Sequence, residues 1–416
     1  MSNKATIDRD RLWADIIALG EITDPARPYT RRSFSALFLE GRDWLAQRFR
    51  DAGLSTHIDV AGNLIGRREG THPALGTIVI GSHSDSVPSG GRFDGMAGVI
   101  AGLAIARNLH AHGIALRHNL EVVDFLAEEP SEYGISCVGS RALAGMLSPA
   151  NLALRNKQDE TLETALTRMG GDPSRLNGAV RADIAAAFEL HIEQGPVLEA
   201  RELDIGIVTS IVGITRIEIT FQGTAGHAGT TPMTLRRDPL IAAAGLIGWI
   251  SNTAAMFAAR ERGHFVATTG IVEVLPNASN VIPKTARIVI DARSEDRELM
   301  EEFCRALDEQ SLTAALAANV DRLVFVRLSD SMPAACDPIL RSLLRDSAAA
   351  LACSSMEMAS GAGHDMAFMS LIAPAAMVFI PCKGGRSHTP EEWSSVDQLA
   401  IGTEVMLDTV LRFDGG

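Results

Sequence analysis

Cysteine is scarce in this chain and scattered along it. The 416 residues hold five, Cys137, Cys304, Cys336, Cys353 and Cys382, an odd number with no CxxC pair. That speaks against a thiolate zinc site and against a disulfide framework. Reduced thiols in a cytoplasm are the expectation. Basic residues are outnumbered, 38 Lys and Arg against 51 Asp and Glu, for a net charge of -13. Phosphate binding needs a basic face, so nucleic acid is not an expected partner. Aromatics are few, at 5%. We read no apolar run that approaches the ~18 residues needed to span a bilayer, so no membrane role is expected. The N-terminal "MSNKATIDRDRLWADI" spreads charges through its length and has no apolar core, so no signal peptide is expected. No repeat, low-complexity segment or nucleic-acid-reading motif stands out.

The rest is ordinary globular material, 46% apolar. The length exceeds what one hydrophobic core usually serves, so two domains are expected. Residues 31–52 have helical periodicity and stop at Gly53, a C-cap. "TIVIGSHSD" (77–85), "LEVVDFLAEE" (120–129) and "AAFELHIEQG" (186–195) read as buried strands running into loops, with a helix over 96–109 between the first two. Short apolar strands alternating with helices predict an α/β domain with a mixed, mostly parallel sheet. From Gly213 the pattern changes to half-exposed strands in the order β-α-β-β-α-β, the ferredoxin-like order, over 213–328. We read this as a small domain inserted into the first, which comprises 1–212 and 329–416.

"LAEEPSEYG" (126–134) places Glu128 and Glu129 side by side at the end of an apolar strand. Two like charges there raise each other's pKa and hinder folding unless something offsets them. Ligands of such sheets bind at the carboxyl ends of strands. His83, Glu128, Glu129 and His191 all fall at those ends. His83 and Asp85 form an H-x-D in which the aspartate can hold the far ring nitrogen. Asp94 lies in the glycine-rich turn "GGRFDG" (90–95), and His388 in "GGRSHTPEE" (384–392). Three histidines and two carboxylates, with one further glutamate free, suit two zinc-like ions bridged by one carboxylate. Imidazole with carboxylate favours Zn, Mn, Co or Ni over Ca or Mg. The metal charge would offset the repulsion within the glutamate pair. Taken singly, each feature has a plain alternative: a histidine after a strand is usually a satisfied polar residue, and an EE pair a solvated surface. Their joint placement at strand ends is what singles them out.

Seven blocks in the same order resemble the hydantoinase/carbamoylase branch of the dinuclear metal aminoacylase and carboxypeptidase superfamily. They are "GSHSDSVPSGGRFDGMAGVIAG" (81–102), "AEEPSEYGISCVGSRALAG" (127–145), "ELHIEQGPVLE" (189–199), "GTAGHAGTTPM" (223–233), "PNASNVIPKTARIVIDAR" (276–293), "SGAGHDMAFM" (360–369) and "GGRSHTPEEW" (384–393). The resemblance implies a zinc-exopeptidase-like catalytic domain with an inserted lid and dimerisation domain, and hence a homodimer. It implies that His83, Asp94 and His191 hold one divalent ion, and Asp94, Glu129 and His388 a second. Glu128 would be the general base. His227 would touch the substrate or the developing oxyanion, from its own chain or a partner's.

The resemblance also assigns substrate contacts. Asn280 and Arg293 would grip a substrate carboxylate, Gln194 would lie near the amide, and the loop Gly361, Ala362 and Gly363 would contact substrate through its backbone. A turn asparagine and a strand-end surface arginine are the plain alternatives for Asn280 and Arg293. His364 is left as structural or supporting. His57, His72, His110, His112, His118 and His264 read as surface residues. The implied reaction is hydrolysis of the carbamoyl amide of N-carbamoyl-L-amino acids. Allantoate hydrolysis, and hydrolysis of N-acyl amino acid conjugates, are the alternatives. A non-catalytic binding protein on the same fold is opposed by the intact ligand set. Pro130, Tyr133 and Arg386 depart from the family pattern close to the expected pocket, and Arg386 would favour a substrate with a second acidic group.

Overall fold

The computed structural model describes residues 6–178 and 180–415. Its strands are β1 (Ser55–Ile58), β2 (Leu64–Arg68), β3 (Thr77–His83), β4 (Asn119–Phe125), β5 (Ile184–Ile192), β6 (Ile205–Ile211), β7 (Gly213–Gln222), β8 (Gly226–His227), β9 (Phe265–Leu275), β10 (Val281–Ile282), β11 (Thr285–Ser294), β12 (Asp321–Asp330), β13 (Ala334–Ala335), β14 (Ser355–Ser360) and β15 (Ala375–Ile380). The chain forms two compact units. The larger contains Met1–Thr209, Cys336–Met358 and Gly363–Gly416, the smaller Ser210–Ala335 and Ala359–Ala362.

In the larger unit the strands run β1-β2-β4-β3-β5-β15-β6. The centre is parallel: β4 with β3, β3 with β5, and β5 with β15. The pairs β1-β2, β2-β4 and β15-β6 are antiparallel. The sheet is therefore mixed, as expected, with its parallel pairs at the centre and antiparallel pairs toward the edges. The reason is chain length. Only five residues separate β1 from β2, so they can pair only as a hairpin, whereas β3 and β4 are joined through the helix Met96–Ala111. That helix is apolar nearly all round and packs into the core with Ile78, Ile80, Val122, Phe188 and Leu190 of the central strands. Parallel pairing then fixes the site. His83 stands opposite Phe125, the last residue of β4, and His191 stands opposite Phe379 of β15.

The helix expected over 31–52 begins later, at Ala36, and runs to Asp51. Ser35 caps it by accepting the Phe38 N–H, and Phe34 before it has φ +65°. Arg31 is buried in the preceding loop, where its guanidinium donates to the carbonyls of Leu19, Ile22 and Ser84. Apolar spacing continues through that loop, but the cap ends the helix.

In the smaller unit β12-β7-β11-β9 form an antiparallel four-stranded sheet. The helices Pro239–Ala258 and Arg297–Ala317 share its core, with Leu246, Ile250, Phe257 and Phe303 against Ile217, Phe221, Ile288 and Ile290. Pro239–Ala258 corrects one sequence expectation. Its 20 residues carry no charge, and by length and composition it could cross a bilayer. Here one face of it forms part of this core. A short β8-β10 pair sets His227 opposite Val281.

Candidate metal centre

The end of β3 delivers His83, fully buried. Its Nδ1 lies 3.0 Å from the Asp85 backbone carbonyl and 3.4 Å from the Asp85 carboxylate. The nearer partner accepts only, so Nδ1 carries the proton. The expected carboxylate contact is thus secondary. Asp85 instead receives the backbone N–H groups of Glu128 and Glu129, each at 3.3 Å, and so shapes the glutamate loop. His191, near the end of β5, likewise donates Nδ1–H to the Ile192 carbonyl at 2.8 Å.

The Nε2 atoms of both rings turn to one oxygen. Asp94 Oδ1 lies 3.6 Å from His83 Nε2 and 3.2 Å from His191 Nε2. His83 Nε2 is also 3.6 Å from Glu128 Oε2. The other Asp94 oxygen, Oδ2, lies 3.3 Å from His388 Nε2, which is 3.3 Å from Glu129 Oε1 as well. Two triplets of ligand atoms therefore share Asp94: His83, Asp94 and His191, and Asp94, Glu129 and His388. A turn glycine makes room for this. At Gly95, φ +68°, a Cβ would run into the His83 ring.

Whether these residues fit a cation can be decided from their chemistry. With Nδ1 protonated, the Nε2 of His83 and His191 presents a lone pair, and both lone pairs face a carboxylate oxygen. One donor, the Gly95 N–H, reaches His191 Nε2 at 3.1 Å. Acceptor facing acceptor in a buried space requires positive charge between them. The electrostatics agree. Burial disfavours an imidazolium at His83, yet the Glu128 charge and the contacts to Asp85 and Asp94 hold its pKa well above the usual histidine value. Asp94 and Glu129 push His388 up to about 11. Burial would raise Asp94, but the three imidazoles hold it well below the usual carboxylate range. Burial dominates at Glu128 and raises it well above the usual value, with Glu129 and Asp365 adding to it against His83. The donor set fits divalent ions that accept nitrogen and oxygen.

Sequence reasoning missed several residues around this cluster. Glu392 is buried and accepts the N–H groups of Phe93 and Asp94. Ser387 donates to Asp94 Oδ2 at 2.5 Å; Gln194, expected near the substrate amide, donates its Nε2 to the same oxygen at 2.7 Å. His364, left as a supporting residue, is buried with its ring edge-on to His191, centroids 4.6 Å apart. Glu189 accepts from Ser82 at 2.7 Å, and Asp365 from Ser140 at 2.5 Å. Glu189 was within reach of a sequence argument. It precedes His191 by two in a strand, so both side chains leave the same face.

The other expected residues fall as follows. Arg386 is exposed two residues before His388. Tyr133 does not turn its hydroxyl toward the cluster: it bonds Glu160 at 2.6 Å, and its ring packs edge-on to Phe34. Gly363 belongs to the larger unit, while His227, Asn280, Arg293, Gly361 and Ala362 belong to the smaller. His227 is exposed, its Nδ1 accepting the Gly229 N–H, and the Asn280 carbonyl accepts the Ala228 N–H. Arg293 lies inside β11 rather than after it. Its guanidinium donates to Asp291 at 2.7 Å and to the Gly361 carbonyl at 2.8 Å, so it holds the 361 loop. His118 is no bland surface residue, since its Nδ1 pairs with Asp414 at 2.8 Å and ties down the last helix.

Comparison with known proteins follows the same lines. A family model described as peptidase family M20/M25/M40 matches residues 79–412. The chain is 39% identical over 413 residues to the N-carbamoyl-L-amino acid amidohydrolase of Geobacillus stearothermophilus, covering 99% of this chain and 100% of that relative. It is 33% identical over 388 residues to the allantoate amidohydrolase of Bacillus subtilis (strain 168), covering 92% of each. Among solved structures, an amidase of the hydantoinase/carbamoylase family from Burkholderia multivorans superposes with a TM-score of 0.91 at 33% identity, covering 99% of both chains.

Proposed function

The chain belongs to peptidase family M20/M25/M40 and to its hydantoinase/carbamoylase branch, and on that premise we propose the following reading. The protein is a metal-dependent amidohydrolase. It converts an N-carbamoyl-L-amino acid and one water to the amino acid, ammonia and carbon dioxide. The observation that carries this is the convergence of His83, His191 and His388 on the two oxygens of Asp94, beside the buried carboxylate of Glu128.

His83, Asp94 and His191 would hold one divalent ion and Asp94, Glu129 and His388 a second, with Zn, Mn, Co or Ni suited to the donors. Such ions would make water more acidic and polarise the substrate carbonyl. Glu128, kept basic by burial, takes the proton of the attacking water and hands it to the leaving nitrogen. His227 stabilises the developing oxyanion. Asn280 and Arg293 bind the substrate carboxylate, Gln194 orients the amide, and the backbone of Gly361, Ala362 and Gly363 lines the substrate. Arg386 biases the choice toward substrates with a second acidic group.

The smaller unit acts as lid and dimerisation domain. What supports a homodimer is β9, at the edge of its sheet, which exposes Val266, Ile271, Val272 and Leu275. A cytoplasmic location is supported by five free thiols. A second reading, allantoate hydrolysis, is favoured by the Bacillus subtilis relative, and needs the same ions and the same carboxylate grip.

The test is a panel of N-carbamoyl amino acids, allantoate and N-acyl amino acids, assayed after chelation and reloading with Mn, Co, Ni or Zn. About two metals per chain, with turnover of a ureido substrate that chelation abolishes, supports the reading. Metal-replete protein inert across the panel overturns it.

A further inference from the structure

We infer that Glu392 is a positioning residue, a clasp that joins the loop carrying Asp94 to the loop carrying His388 and thereby sets how tightly the centre holds metal. The inference deepens the proposed function and rests on it. Glu392 lies four residues after His388 and is 1% exposed. Its Oε1 accepts two consecutive backbone N–H groups, Phe93 at 2.8 Å and Asp94 at 3.0 Å, across 299 and 298 residues of sequence. Two bonds to adjacent peptides fix the orientation of the backbone from which the Asp94 side chain leaves.

Its other oxygen, Oε2, lies 3.0 Å from Ser387 Oγ, which in turn lies 2.5 Å from Asp94 Oδ2. One carboxylate thus bonds the main chain of Asp94 directly and lies against the hydroxyl that serves its side chain. The neighbour Glu391 is exposed and turns instead to Thr389.

The surroundings are built for that carboxylate. At Gly91 a Cβ would overlap the Glu392 carboxyl group, so the glycine-rich turn here makes room for an internal acid rather than for a ligand. Trp393, next in sequence, packs edge-on against Trp13 and Phe93, and its carbonyl accepts the Lys383 N–H. The clasp is therefore anchored at its own base. Residues that orient metal ligands through hydrogen bonds typically change metal affinity by about 10- to 100-fold when removed.

The replacement chemistry separates a clasp from simple filling. Oε1 only accepts, and the Ser387 hydrogen serves Asp94 at the shorter distance. A glutamine keeps Oε1 and can donate to Ser387 Oγ, so Glu392→Gln should bind metal nearly as the wild type does. Glu392→Ala removes the acceptor. Glu392→Asp keeps the charge but is one methylene too short to reach both N–H groups.

Metal affinity is measured on the full chain by competition of Zn or Mn with a chelator, and the melting temperature of the metal-free protein is measured alongside. About a tenfold or greater loss of affinity in Glu392→Ala and Glu392→Asp, with recovery in Glu392→Gln, is the expected result. The Asp and Gln variants carry the test if the Ala variant does not fold. Wild-type affinity in the Ala or Asp variant, or lowered metal-free melting with affinity unchanged, overturns the clasp while leaving the proposed function standing. Wild-type protein that binds no metal overturns both.

Discussion

The sulfur of Cys137 lies 3.4 Å from Oε1 of Glu128, the carboxylate assigned to proton transfer. Cys137 also donates its backbone N–H to the Glu128 carbonyl at 2.9 Å, and holds φ at +53° to do so. Burial, and then the Glu128 charge, push the thiol well above its ordinary pKa, so it is an S–H donor at neutral pH. Cys137→Ala should therefore free one carboxylate oxygen. We expect kcat to fall by roughly fivefold, about 1 kcal/mol, with KM unchanged. Cys137→Ser, which keeps a donor, should recover most of it. Equal kcat in the wild type and the Ala variant would show the contact to be packing alone.

The adjacent glutamates should separate cleanly. Glu129 Oε1 faces His388, whereas Glu128 Oε2 faces His83 and turns its other oxygen to Cys137. Glu129→Gln should lower the metal content of the purified protein. Glu128→Gln should leave metal content near that of the wild type and cut kcat by about 10²- to 10⁴-fold, the usual range for a lost general base. Metal analysis beside steady-state kinetics checks both. A Glu128→Gln protein that retains turnover would sink the assignment.

Much of this centre is legible because apolar strands end in polar residues. His83 and His191 close runs of buried residues, and two adjacent carboxylates after a third run stand out against their background. The strand and helix order of the chain is legible for the same reason: period-two and period-3.6 patterns are local. Glu392, Cys137 and His364 leave no such trace. Glu392 earns its place through partners 299 residues away, and a lone polar residue in a loop has no periodicity to betray burial. Sheet polarity at the edges was lost for a related reason, since hydrophobic runs do not encode direction. The start of the helix at Ala36 depended on one serine cap, a signal weaker than the apolar spacing that continues past it.

In the smaller unit, acid should weaken the ion pairs made by Asp330. The Arg297 guanidinium bonded to Asp330 outweighs burial and, with Thr215 and Arg327, holds that carboxyl well below its ordinary pKa. A depressed folded pKa stabilises the fold above the unfolded value, roughly 3.9, and that contribution is lost as pH falls toward the folded one. Asp330→Asn should be less stable than the wild type at pH 7 by about 1–2 kcal/mol. The difference should shrink steadily as pH is lowered from about 5 to about 2. Urea unfolding across that range measures it, and a gap that stays constant or widens on acidification would contradict the assignment.

Arg386 tests the choice of substrate. Its side chain is exposed, two residues before His388. A cation in such a place acts through solvent, so its influence is small and sensitive to salt. Arg386→Ala should lower kcat/KM for N-carbamoyl amino acids with an acidic side chain by about two- to fivefold relative to neutral ones. The shift should appear in KM rather than kcat, because the charge contributes equally to substrate and transition state. It should fade as ionic strength approaches about 1 M, where the screening length falls to about 3 Å. An acidic-to-neutral ratio that the substitution leaves unchanged at low salt would remove Arg386 from the specificity of the enzyme.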